Sequence, residues 1–473
     1  MRHFHLLLLL LALPLFAHGQ LLINEIQSSN GITVVDEDGD NQDWLELYNA
    51  GNQAVNLDGY WLSDDDDNPQ RWRLPAVTIG AGDTLLVWAS NKNRATPGSP
   101  LHTNFAISAG GEEILLSAPN GDLLDRADPV PIATDISWGR SPDGADNWVF
   151  FAEPTPGASN TTPGYTELLA APEFSVAGGF YANAFDLSLN HPDPAVTIIY
   201  TLDGSIPDPD SIGGVSYSYK NSYPQNTGNS EGALLENSFY SFAYSDSISI
   251  VDRSPEPNKL ASIATSFDNN PYYIPNTPIT KGTVVRARAF KDGGLTSPIA
   301  THTYFINDSG QSPHQLAVIS LGIQEDGLFD YENGIHVAGS RFDQWRAANP
   351  FANADGASEA NWQMRGDAWE RLAHIELFEP GATRAGLKQD IGVRIHGGWS
   401  RAHRQKSLRL YARNAYGDSR FNYPMFPDQD SSGYNRLMLR NSGNDNDYTM
   451  FRDAMMQALG AELRMDTQAY RPT

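Results

Sequence analysis

Apolar and polar residues alternate in short runs along most of this chain. LLINEI begins at Leu21, and DWLELYN places Trp44, Leu45, Leu47 and Tyr48 in a second run. Asp83–Trp88 and Glu113–Ser117 follow, with turns at Ala81-Gly82-Asp83 and Asn120-Gly121-Asp122. A period of two bounded by turn residues predicts strands. Short strands at this spacing predict a β-sandwich over about residues 21–160. The pattern returns at Phe185–His191, Val196–Pro209, Thr283–Gly293 and Pro298–Ile306, which predicts a second small sheet. A third group comprises Leu316–Leu321, His374–Phe378, Val393 with Ile395, Leu408 with Leu410, and Leu437 with Leu439. Helical spacing stands out near the end, where Phe451, Ala454, Met455, Ala458, Leu459 and Leu463 fall on one face. Asp447 or Thr449 is placed to cap that helix.

Between these groups the chain loses its apolar period. Asn160–Leu169 contains TTPG and reads as a linker. The second module then spans 171–307, interrupted at about 211–274 by a stretch rich in Ser, Asn and Tyr. A loop that long is uncommon in a compact domain, so it is a decorated loop or a lobe of added strands. The third unit spans 312–473, with a polar, small-residue surface insertion at Asn349–Ala360.

The N-terminus predicts the route of the protein. Arg2 and His3 precede an apolar run from Leu6 to Phe16, then Ala17-His18-Gly19. This is the layout of a signal peptide spanning 1–19, too short to cross a bilayer comfortably. An exported protein, secreted or held at the cell surface and without a transmembrane segment, is expected. Length allows about three or four domains. The 41 glycines and 30 prolines support a turn-rich β molecule. The absence of cysteine excludes disulfides, thiolate metal sites and a cysteine nucleophile. A formal charge of −25 argues against nucleic acid as a partner.

Two clusters carry candidate chemistry. Asp36, Asp38 and Asp40 alternate in VDEDGDNQDW, as oxygen ligands for calcium do, but Gly39 and Leu47 break the EF-hand pattern. A solvated turn is the alternative. The second cluster is IGVRIHGGWSRAHRQKSLRLYAR, Ile391–Arg413. Here Gly397 and Gly398 open a loop holding Arg401, His403, Arg404 and Lys406. Glycines and cations between two strands let backbone N–H groups and side chains approach one anion. Against so acidic a background, a local basic pocket suits a small anion. The alternative is an exposed loop that pairs with the acidic surface. NSGNDND follows, with Asn441 and Asp445 before the helix. Their oxygens can hold a metal or brace the lysine; equally, they can cap the helix and form a loop salt bridge.

The glycine pair, the basic loop, QKSLRL, LRNSGNDND and FRDAMMQALG resemble the CotH family of spore-coat-protein-H-like atypical kinases. LAVISL, LFDYENGIHVAG and WERLAHIELFEPG agree with it, so the resemblance covers about 316–473. It implies a kinase-like fold that uses ATP with Mg²⁺ or Mn²⁺ to phosphorylate a secreted or surface protein. It further implies Lys406 as the phosphate lysine, with Arg401 and Asn441 as nucleotide contacts and Asp445 as a metal or bracing residue. The family's catalytic and metal aspartates lie in a later segment and cannot be placed on any residue here, which implies an inactive, C-terminally truncated fragment with apolar helix positions such as Phe451 and Leu459 uncovered. INEI, DWLELYN and GYWLSDD resemble the lamin-tail family, with SWGRSPDG and TPGASN closing the module as in bacterial secreted proteins. YTLDGSIPDP and VRARAFKDG resemble the chitobiase/β-hexosaminidase C-terminal-type domain. Together these imply a mainly β, multidomain fold: two immunoglobulin-like β-sandwiches followed by an incomplete α+β kinase-like domain. The alternative function is a non-catalytic surface or matrix scaffold.

Overall fold

The computed structural model describes residues 21–267 and 273–473, so the signal-peptide reading lies outside the described residues. The chain is mainly β and divides into two compact units, one ending at Glu167 and the other spanning Leu168–Thr473.

The first unit is a sandwich of a seven-stranded and a four-stranded sheet. Leu21–Gln27 pairs antiparallel with both Asp43–Asn49 and Ser137–Arg140 at the centre of the larger sheet. Its alternation sends Leu21, Ile23, Leu45 and Leu47 into a core with Leu62, Val87, Phe105 and Leu116. The polar side of the same strands is buried too. Glu25 and Glu46 face each other across the register, and both are fully covered.

The second unit holds two five-stranded sheets. One contains β1 (Thr197–Thr201), β2 (Thr283–Phe290) and β3 (Ala300–Ile306), edged by Gly179–Tyr181 and Phe242–Ala243. The other is an antiparallel meander in chain order: β4 (Val318–Ile323), β5 (Arg371–Phe378), β6 (Ala385–His396), β7 (Ser407–Tyr411) and β8 (Arg436–Leu439). One face of the meander carries the apolar core: Ile375, Leu377, Ile391, Val393, Leu410 and Leu437, with Phe421 and Met425 from the segment before β8. The opposite face is divided. At β4 and β5 it meets the first sheet. There the Thr303 N–H donates to Glu376 Oε2 at 2.6 Å, and Phe378 packs edge-on to Phe180 and Phe305. At β6 and β7 the same face is open and polar.

In its described residues, 211–267 and 273–274, the interruption forms added strands and turns. Val215–Tyr219 and Leu235–Phe239 pair as an antiparallel hairpin. The segment packs on α1 (Gly339–Ala348) and its surroundings. Tyr223, Phe267, Phe342 and Trp362 share one core with Ile395 and Ala402. The Asn349–Ala360 stretch takes part as well: Ala354 and Ala360 are buried there, because Gln225 of the interruption accepts from the Ala354 N–H at 2.7 Å. α2 (Arg452–Glu462) forms where the apolar spacing predicts a helix, and Phe451 and Leu459 are exposed.

Candidate functional site

The glycine-bearing turn joins β6 to β7 and brings three of the four candidate site residues to one buried node. Lys406 is 5% exposed. Its ammonium donates to the carbonyls of Arg401 at 2.7 Å, His403 at 2.8 Å and Thr265 at 2.8 Å, and it lies 4.0 Å from the centre of the Trp362 ring. Three carbonyls and an aromatic face satisfy an ammonium removed from water. Lys406 therefore ties the turn to itself and to the 211–274 segment. Thr265 Oγ1 adds a second tie, donating to the Arg404 carbonyl at 2.6 Å. Asn441 is buried beside the lysine: its Nδ2 donates to the Gln405 carbonyl at 2.6 Å and its Oδ1 accepts from Ser407 Oγ at 2.8 Å.

Asp445 stands apart from that node and organises the start of α2. Its carboxylate accepts from Thr449 Oγ1 at 2.6 Å and from the Arg452 N–H at 3.1 Å, and it pairs with the Arg452 guanidinium at 3.2 Å. These bonds hold its carboxyl below the ordinary carboxylate range, the Thr449 hydroxyl contributing most. The N-cap residue is Phe451, without a side-chain cap. The first helical N–H goes instead to Asp445, in line with its capping and salt-bridge alternative, and not to Asp447 or Thr449. Asp447 instead pairs with Arg404.

Arg401 shows where the site opens. Its Nε donates to the Gly397 carbonyl at 2.8 Å, and its Nη1 donates to the carbonyls of Trp362 at 2.8 Å and Met364 at 3.0 Å. Burial, then the nearby Arg365 and Arg409, pushes this guanidinium down to about 10. It lines a cleft of about 180 Å³ on the polar face of β6 and β7, together with Arg365, Arg394, His396, Arg409 and Tyr411. Arg394 and Arg409 face each other in the strand register. The basic-loop reading misses these strand arginines. The signal for them is nevertheless in the sequence: in VRIH and SLRLY the cations hold the polar positions of two strands that a short turn must pair.

In the first unit, Asp36, Asp38 and Asp40 do converge. Lys92 Nζ sits among them, donating to the three carboxylates at 2.5, 2.7 and 2.9 Å. Glu37 pairs with Arg94 and the buried His102 beside them.

An antiparallel α+β unit with a braced basic turn over a cationic cleft, preceded by an immunoglobulin-like sandwich, is the class of protein these features define. Comparison with known families agrees at both ends. Residues 393–473 match the CotH kinase protein family, and residues 16–130 match the Lamin Tail Domain family. No curated protein matches the chain.

Proposed function

We propose that this chain belongs to an exported CotH-type protein kinase, carried behind a lamin-tail sandwich and a chitobiase C-terminal-type sandwich. It transfers phosphate from ATP, with Mg²⁺ or Mn²⁺, to a hydroxyl of a secreted or surface protein. One observation carries the reading: Lys406, Arg401 and Asn441 gather at a single glycine-bearing turn, inside the 393–473 stretch that matches the kinase family. Phosphoryl transfer needs cations held in fixed geometry around phosphate oxygens, and a turn braced by buried hydrogen bonds supplies fixed geometry. The chain's own residues would orient and neutralise the phosphates, and a bound Mg²⁺ or Mn²⁺ would supply further neutralising charge.

One feature favours a second reading. The Lys406 ammonium already has three carbonyl partners, so it serves as a brace, which suits a non-catalytic surface or matrix scaffold equally well. Calorimetric titration of the folded protein with ATP and Mg²⁺ or Mn²⁺ separates the two. The kinase reading expects saturable binding that Lys406→Ala abolishes, with circular dichroism confirming that the variant is folded. Absence of binding by folded wild-type protein with either metal leaves the scaffold.

A further inference from the structure

Five arginines and one histidine crowd the open half of the meander's polar face. Arg365, Arg394, His396, Arg401 and Arg409 line the cleft, and Arg413 lies at its edge through Glu370. Among the described residues, two carboxylates pair with them. Glu370 accepts from Arg394 Nε at 2.6 Å and from Arg413 Nε at 2.9 Å, and also binds the Tyr416 hydroxyl at 2.8 Å. Asp367, whose side chain is 91% exposed, pairs with Arg394. The side chains of Arg365 and Arg409 make neither an ion pair nor a hydrogen bond with a described residue. This is a concentration of positive charge in a chain whose formal balance is −25, where acidic partners abound.

Such crowding works against folding. Like charges held close together repel, and more strongly where the surroundings are partly desolvated. The stress shows in the groups themselves. His396 is held below its ordinary range by burial first, then by Arg409, Arg401, Arg440 and Arg365. The cluster is also ordered in advance. Arg401 is pinned by three carbonyls through Nε and Nη1, which leaves its Nη2 hydrogens for the cleft. Arg394 is pinned through Nε by Glu370. Guanidinium forks fixed around a small cleft match the geometry of a tetrahedral oxyanion.

We infer that the cleft between β6 and β7 is an oxyanion site that takes phosphate, free or as the end group of a phosphate ester, on Arg394, Arg401 and Arg409. Lys406, which points into the brace, is not one of its ligands. The inference stands on the cleft alone and does not require that the protein be a kinase.

The test is titration of the whole protein with inorganic phosphate at constant ionic strength, read by thermal shift and calorimetry, beside Arg409→Gln and Arg365→Gln. Saturable binding is expected in the millimolar range or tighter, and at least tenfold weaker in Arg409→Gln. Because the Arg409 side chain has no partner to lose among the described residues, its removal is also expected to leave the melting temperature without phosphate unchanged or raised. A purely structural arginine would lower it. Absence of saturable binding, or equal binding by wild type and both variants, overturns the proposal. An ATP arm then identifies the source. ATP binding that weakens in parallel in Arg409→Gln assigns the site to the nucleotide's phosphates; ATP binding untouched by that change assigns it to a separate phosphate. ATP binding without phosphate binding in the cleft overturns this site and leaves the kinase reading standing.

Discussion

Two facing glutamates show how a residue's surroundings override its pattern. In INEI and LELY, Glu25 and Glu46 hold the polar positions of an ordinary half-exposed strand. In the fold, the segment 137–160 closes over them. Ser137 and Thr155 bond Glu25, while Asn24 Nδ2 and the Gly157 N–H bond Glu46 at 3.1 and 2.8 Å. Burial raises both carboxyls, and the Glu25 charge pushes Glu46 further, up to about 8. A carboxyl whose pKa is higher folded than unfolded keeps a proton that the unfolded chain releases. The first unit should therefore lose stability as pH rises from about 4.5 to about 8, by up to about 1.4 kcal/mol per pH unit for each carboxyl so raised. Urea denaturation of this unit at pH 5, 6.5 and 8 checks this, and Glu46→Gln should flatten the slope. Alternation told which face of the strand was polar; it carried no sign that a distant segment would cover that face. Lys406 makes the same point. Its place in the turn was legible, but its partners Thr265 and Trp362 lie 141 and 44 positions away.

At the scale of elements, strands and the final helix were readable because their apolar periods are local. LAVISL, HIELF, GVRIH, SLRLY and LMLR each became a strand of the meander. The 211–274 interruption was not readable in this way, since its buried aromatics Tyr223 and Phe267 find their cover far along the chain, on α1 and on the turn after β6. Phe267 stacks on Phe342 with ring centres 5.6 Å apart and reaches Trp362 at 5.8 Å. Lys220 bridges from the interruption to Asp343 of α1 at 2.5 Å. Phe267→Ala should therefore cost about 3–5 kcal/mol, in the range for a buried aromatic cut back to a methyl group. Denaturation of residues 168–473 measures that loss. Faster proteolysis at the β6–β7 turn should accompany it, because Thr265 and its carbonyl bond to Lys406 lie two residues away.

For the whole molecule, modules recognisable as separate stretches of sequence need not be separate folding units. The two sheets of the second unit share hydrogen bonds between Thr303 and Glu376 and between Thr303 and Ser320, as well as a cluster of Phe180, Phe305 and Phe378. A polypeptide of residues 312–473 alone would expose Phe378 and leave the Glu376 carboxylate without the Thr303 N–H. It is expected to be poorly soluble and to lack a cooperative melting transition, whereas 168–473 should show one. Calorimetry on the two polypeptides decides this. The chain's path also bears on how the protein is made. Tyr223 and Phe267 leave the ribosome well before Trp362 and Ala402, the residues that shelter them. At ordinary rates of synthesis that interval is on the order of ten seconds. Through it the nascent chain carries a half-finished sandwich with its aromatic groups bare. A chaperone that holds segments of this kind would find its task here, between the emergence of Phe267 and the closing of the turn around Lys406.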